Sequence, residues 1–417
     1  MKPSHKITVV LVVLVLVTLG FLITNLNQWL AVRQLTIARL ALNDRDADKA
    51  MNAAREAARL DPHNGEAYFT MARVFRRQAK WGKLRVSLEQ AAKLGVSASR
   101  IRREEWLILA QTGQLNEATP HLSELMVDPA DDGPDICEAF ANGFFLMYRL
   151  DEAFAILDVW EQDYPQDAQP HFFRAAFNSK MENWTATTKH LRKALELVPN
   201  RTDIRIELAK TLLVLQESDE AAKLFEQLQK NQPNHPEVLV GWAQVQLERG
   251  QPENARSTLD QLLRIDPKHT VALRLLGEIH SLAGQVPEAI KVLEEAVASK
   301  NNDRQARYAL GMALKKVGRD DEARQHFQYV AKRTEVNTRI GQLMVKVRSN
   351  NNDVESRFEI AELCRETGEQ RERLAWLRSV IALEPNHKTA HAELAKCYSA
   401  LGDLEESRKH SQLADAF

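Results

Sequence analysis

Cysteine, clustered histidine and glycine-rich phosphate loops are what this chain has little of, and each shortage removes a class of function. Its three cysteines, Cys137, Cys364 and Cys397, form no CxxC pair, which excludes a zinc ribbon or a thioredoxin-type redox centre. An odd count does not make a disulfide framework; the expected role is helix packing, with a Cys364–Cys397 bridge left open as an alternative. There is no HExxH, no GxSxG and no GxxxxGK[ST], so the common metalloprotease, hydrolase and nucleotide-binding sites are not encoded. Histidines are scattered at turn positions such as His63, His235, His269 and His387, where a recurring turn explains them without a ligand set. The expectation is a non-enzyme with no catalytic residues, no metal and no cofactor. Charge is balanced, 56 basic against 57 acidic residues for a net −1, whereas a dedicated nucleic-acid binder is usually basic. No nucleic-acid partner is expected.

One long uncharged run is present. Residues Ile7 to Ile23 carry no charged side chain over 17 positions. A helix of that length spans about 25 Å, near the short limit for the hydrocarbon core. Leu26, Trp29 and Leu30 extend it toward the interface, where tryptophan is favoured. A signal anchor over 7–24 behind a short tail, 1–6, is the expected reading, with a cleaved signal peptide as the alternative. Lys2 and Lys6 before it nearly balance Arg33, Arg39 and Arg45 after it. The short tail favours an N-inside, single-pass arrangement with the rest of the chain extracytoplasmic, periplasmic if the source is bacterial. Neither glycine nor proline occurs between Phe21 and Asp61, so no flexible linker separates this segment from the first repeat.

From Ala31 a 34-residue period runs along the chain, with one extra residue near Gly133. Its eighth position is Ala38, Ala72, Trp106, Ala141, Ala175, Ala209, Ala243, Gly277 and Gly311, resuming at Ala361 and Ala395. The twentieth is alanine at Ala50, Ala118, Ala153, Ala221, Ala255, Ala289 and Ala323, and the thirty-second is proline at Pro62, Pro165, Pro199, Pro233, Pro267 and Pro385. Small residues let paired helices approach closely. Glycines such as Gly250 and Gly284 suit a left-handed turn, and proline stops the second helix. A fixed period of this length marks stacked repeats.

These positions resemble the tetratricopeptide repeat family, and the match runs from Ala31 to Phe417. The resemblance implies an all-α, right-handed superhelix (an α-solenoid) behind one N-terminal transmembrane helix. Nine repeats are expected over 28–337, starting near 31, 65, 99, 134, 168, 202, 236, 270 and 304. A helical extension and Asn-rich break come next over 338–353, because Val336, Ile340, Leu343, Met344 and Val347 keep helical spacing up to Ser349. Two further repeats fill 354–417. Repeats two and three depart from the pattern, with Leu84 at position 20 and Trp106 at position 8.

In that family the first helix of each repeat lines the inner face, chiefly through positions 2, 5, 9, 12 and 13. Carried onto the second and third repeats, these include Phe69, Arg73, Arg76, Arg77, Arg100 and Arg103. Arg73, Arg76 and Arg77 share one helical face, and arginine forks suit carboxylate or phosphate. An anionic partner site and pairing with acids of adjacent repeats are both open. The acids are near in sequence: eleven lie between Asp128 and Asp167 against one basic residue, Arg149. The middle repeats are more apolar there, through Phe145, Phe172, Ile206, Leu213, Val240 and Leu247, which suits an apolar peptide. The Lys/Asn pair with which chaperone-binding members clamp a terminal carboxylate is missing: Asn142 holds position 9, but position 5 is Glu138.

The implied function is a membrane-tethered, non-catalytic scaffold or assembly factor with protein or peptide partners. The alternative is an accessory subunit of a membrane or envelope enzyme complex that captures substrate without catalysis.

Overall fold

The computed structural model describes residues 25–129, 132–300 and 302–416. The expected anchor over 7–24 lies outside the described residues. No helix among those described is long and apolar enough to cross a membrane, and no strand occurs among them.

Helices succeed one another in antiparallel hairpins. They are α1 (residues 25–43), α2 (Ala47–Leu60), α3 (Gly65–Arg77), α4 (Trp81–Lys93), α5 (Ala98–Gln111), α6 (Leu115–Ala118), α7 (Leu122–Val127), α8 (Gly133–Leu146), α9 (Leu150–Asp163), α10 (Gln169–Lys180) and α11 (Trp184–Leu197). Then come α12 (Thr202–Val214), α13 (Ser218–Asn231), α14 (Pro236–Glu248), α15 (Pro252–Ile265), α16 (Thr270–Leu282), α17 (Val286–Ser299), α18 (Arg304–Lys316), α19 (Asp320–Ser349), α20 (Val354–Thr367), α21 (Gln370–Leu383), α22 (Lys388–Ala400) and α23 (Leu404–Ala416).

One backbone device repeats in every hairpin. The residue closing the turn after the first helix is left-handed in each case: Arg45, Ala79, Gly113, Tyr148, Glu182, Gln216, Gly250, Gly284, Gly318, Gly368 and Gly402, with φ between 53° and 81°. Glycine takes this conformation freely, whereas a residue with a Cβ is strained there. Several first helices begin on side-chain caps. Asn64, Asp303 and Asp353 accept from the backbone N–H of Glu66, Ala306 and Ser356. His269 and His387 cap in the same way, each Nδ1 accepting from a backbone N–H, that of Ala272 or Ala390. Those turn histidines are helix caps.

The third hairpin is irregular. Pro120 lacks an N–H, and its second helix breaks into α6, a 3₁₀ turn (Thr119–His121) and α7. Trp106, too large for a small-residue position, stacks on His121 with ring centroids 4.0 Å apart.

The chain divides within α8 into two compact units, Met1–Asn142 and Gly143–Phe417. In the first, Leu42, Phe69, Phe75, Leu84 and Leu88 form the main apolar cluster. In the second, small clusters lie between successive helices, for example Leu239, Leu259, Leu262 and Leu275. First helices of neighbouring hairpins touch there, α12 with α14 and α16 with α18. The 30-residue α19 buries Leu343 and Val347 against Ile360, Trp376, Leu377 and Leu394 of the last two hairpins. The extension of α19 is therefore a packing element that docks the C-terminal hairpins. All three cysteines are buried and unbridged; burial pushes the Cys364 thiol up to about 12.

Candidate functional site

The arginines of the second repeat are not a free anionic-partner surface. Arg76 is fully buried. Its Nε donates to Glu104 at 2.7 Å and its Nη2 to Asp135 at 2.9 Å. Arg77 Nε donates to the same Asp135 oxygen at 3.0 Å, and its Nη1 to the carbonyl of Leu42. Arg73 pairs with Asp132 at 2.9 Å and with Asp135. Three guanidinium groups thus converge on one buried carboxylate. Burial alone would raise Asp135, but Arg77, Arg76 and Arg73 outweigh it and hold it well below the carboxylate range. Nearby, Arg45 donates to Glu138 at 2.6 Å. Arg100 pairs with Glu66 and lies over the ring of buried Phe69 at 4.3 Å. Arg103 donates to the carbonyls of Asp128 and Pro129. Asp132, Asp135 and Glu138, together with Glu66 and Glu104, neutralise these arginines within the first unit.

The apolar candidates are also engaged in packing. Ile206 is buried with Phe225 and Val238. Phe172 and Leu213 pack on the cluster around Leu191 and Leu208, with the Arg201 guanidinium 5.2 Å from the Phe172 ring. Val240 and Leu247 pack on the Leu239–Leu259 cluster. Phe145 stacks on Phe177 and meets Phe154 edge-on, at 5.4 and 5.7 Å. Ile206 is buried, and the other five are partly buried.

An open cleft occurs elsewhere in the second unit. It has a volume of about 290 Å³ and is lined by Arg274, Glu278, Arg304, Gln305, Tyr308, Ala309, Val330 and Thr334. Arg274 and Glu278 occupy successive turns of α16; Arg304, Gln305 and Tyr308 open α18; Val330 and Thr334 come from α19. Arg274 is buried to 8% exposure, its Nη1 donating to Glu278 at 2.6 Å, while its Nε has no hydrogen-bond partner among the described residues. Arg304 reaches only Thr334, at 3.4 Å, and forms no ion pair among the described residues. Along the same two helices lie Leu282, Tyr308 and Met312, at 81%, 52% and 43% exposure. The helices are held together at their far ends by Lys316, whose Nζ donates to the carbonyl of Ser281.

None of the cleft residues stood out in the sequence, although the inner-face positions reach them. Positions 5 and 9 of the eighth repeat are Arg274 and Glu278; positions 2, 5 and 9 of the ninth are Gln305, Tyr308 and Met312. The arginine-rich repeats are more conspicuous because charge density, not availability, is what a sequence displays. No group of three or more His, Cys, Asp or Glu among the described residues is placed to hold a metal ion.

The architecture and the cleft define a class: an all-helical repeat protein whose hairpins display side chains on their first helices. Tetratricopeptide repeats are recognised in the second unit, the family's sequence model matching residues 180–243, 218–279 and 246–313. Among solved structures it is similar to a crystal structure of MamA protein, at 16% identity over 40% of this chain and 91% of that one, with a TM-score of 0.32. A MamA fragment, 41-end, from Desulfovibrio magneticus RS-1 matches at 19% identity over 40% and 93%, TM-score 0.33. A human IFIT1 dimer with PPP-AAAA matches at 15% identity over 84% and 89%, TM-score 0.43. No curated protein matches the chain.

Proposed function

We propose that this protein is a non-catalytic, membrane-tethered scaffold or assembly factor that holds a protein partner on the inner first helices of its second unit. The observation that carries this reading is the Arg274–Tyr308 cleft. There, polar, charged and aromatic side chains of first helices line an open cleft after the repeats have packed. Tetratricopeptide arrays are built from stacked hairpins that offer extended binding surfaces. Tethering is supported by the uncharged run Ile7 to Ile23 and by Leu26, Trp29 and Val32. These three are 55–60% exposed on α1, whose described residues begin at 25.

The test is affinity capture with the full chain in mild detergent, after alkaline extraction of membranes to check tethering. A set of several client proteins supports the assembly-factor reading. A single enzyme recovered in fixed proportion supports the accessory-subunit reading. Release of the chain from membranes by alkali would refute the tether, and protease protection of the repeats in sealed vesicles tests the extracytoplasmic orientation.

A further inference from the structure

Among the described residues of the second unit, the cleft between α16, α18 and α19 combines a buried arginine, an exposed arginine and an adjoining row of exposed apolar side chains. Arg274 is fixed by packing, with one edge of its guanidinium spent on Glu278 and its Nε unpaired. Arg274 lines the cleft while its Nε is shielded from solvent, so what it presents to a ligand is a positive charge held in place by packing and by Glu278. Arg304, on the opposite wall, meets only the Thr334 hydroxyl at 3.4 Å. Two arginines against one glutamate leave the cleft with one net positive charge. That balance matches a monoanion better than a dianionic phosphate, which Glu278 would repel. Within the cleft wall Tyr308 is exposed on α18, with exposed Met312 one turn further along the same helix. Exposed apolar side chains in line with a cationic pocket fit a protein segment better than a free small acid.

We propose that this cleft recognises an aspartate or glutamate side chain of a protein partner, seated between Arg274 and Arg304, with an apolar neighbour of that residue resting on Tyr308 and Met312. The proposal rests on the scaffold reading above and specifies its partner's chemistry. It differs from a terminal-carboxylate clamp, because the acid is internal to the segment.

The test is selection of random short peptides on the detergent-solubilised full chain, the peptides displayed with their carboxyl ends fused to the phage coat so that no free terminus is offered. Enriched peptides should share an acidic residue within one helical turn of an apolar one. A synthetic, amidated copy should lose on the order of tenfold or more in affinity when its acid is changed to the amide. Arg304→Glu in the protein should cause a similar loss, restored by a lysine in place of the peptide's acid. Arg304→Gln, an exposed neutral change, gives an intermediate loss and serves if the reversal does not fold. Enriched peptides without a shared acid, or ones indifferent to both Arg304 variants, overturn the assignment while leaving the scaffold reading standing. Failure to enrich any peptide overturns the assignment and counts against groove binding as a whole.

Discussion

The guanidinium of Arg357 on α20 donates to the main-chain carbonyl of Met147, 210 residues earlier, at 2.9 Å. It also donates to the carbonyls of Tyr148 at 3.2 Å and Asn351 at 2.9 Å. The Tyr148 ring stacks on Trp376 at 3.5 Å between centroids, and Asn351 donates to Asp151 at 2.6 Å. The start of the second unit therefore meets the hairpin α20–α21 and the turn before it. Arg357 is fully buried and bonded to carbonyls without a carboxylate partner; burial lowers its pKa to about 10.

Arg357→Ala should accordingly destabilise the second unit by ~2–4 kcal/mol, since one buried and two part-buried carbonyls lose their donor at once. Arg357→Lys should recover little, because an ammonium does not reproduce the planar fork. Hydrogen exchange is the measure: faster exchange around 147–152 together with 351–361 is expected, while residues near Ala53 stay protected. Unchanged exchange at 147–152 would show that this contact adds no stability.

In the first unit, Asp135→Asn strips the shared carboxylate from Arg73, Arg76 and Arg77. An unpaired buried charge costs ~3–5 kcal/mol, so cooperative loss of that unit is the expected result in a thermal melt. Reversing the three arginines to glutamate should unfold it as well. A depressed Asp135 contributes stability that is fully present above its unfolded pKa of about 3.9. That contribution is lost only as pH falls through the lower folded value. Melting of the first unit should therefore be insensitive to this group at pH 5; a melt that depends on Asp135 titration there would contradict the network.

Ala79 and Gln216 occupy exposed turn positions at φ 53° and 61°, where six other hairpins use glycine. Ala79→Gly and Gln216→Gly should each stabilise the protein by ~0.5–1 kcal/mol, relief of left-handed strain outweighing the added freedom of the unfolded chain. Urea midpoints should rise without a change in slope. A fall in midpoint would mean that strain at this turn is smaller than the entropy glycine adds.

His391 and His410 face each other in the last hairpin, Nδ1 to Nδ1 at 2.8 Å, both buried. His391 Nε2 donates to the Pro385 carbonyl at 2.8 Å, so its Nδ1 accepts and His410 Nδ1 must donate. Burial first, then His391, Lys409 and Arg378, lower His410 to about 4, against the pull of Glu406. A lowered histidine favours the neutral form in the fold. Its contribution is complete above the unfolded pKa of about 6.5 and declines as pH falls toward 4. Local stability of α22–α23 should drop across that window, as monitored by exchange near Leu394. His410→Phe should flatten the dependence, and persistence of the slope in that variant would assign it to another group.

Much of the fold is local and so could be read from the chain. Alanine at position 8, glycine at the turn and proline at the end each act on a single hairpin, and each recurs every 34 residues with the same backbone consequence. Continuation of α19 past Thr338 was visible for the same reason, as apolar spacing through Val336, Ile340, Leu343 and Val347. The left-handed turns at Arg45, Tyr148 and Glu182 were not visible, since nothing in those residue types announces a positive φ. Tertiary structure alone decided which charges are spent. Arg73, Arg76 and Arg77 are as arginine-rich as any binding face, yet Asp135, about 60 residues on, takes all three. Arg274 and Arg304 line one cleft whose lining holds a single acid, Glu278. Periodicity determines which helices exist and how neighbours stack, whereas availability depends on which distant groups arrive within hydrogen-bond reach. The contact of Arg357 with Met147 is the extreme case: its register is set by curvature accumulated over several hairpins, a sum that no single repeat records.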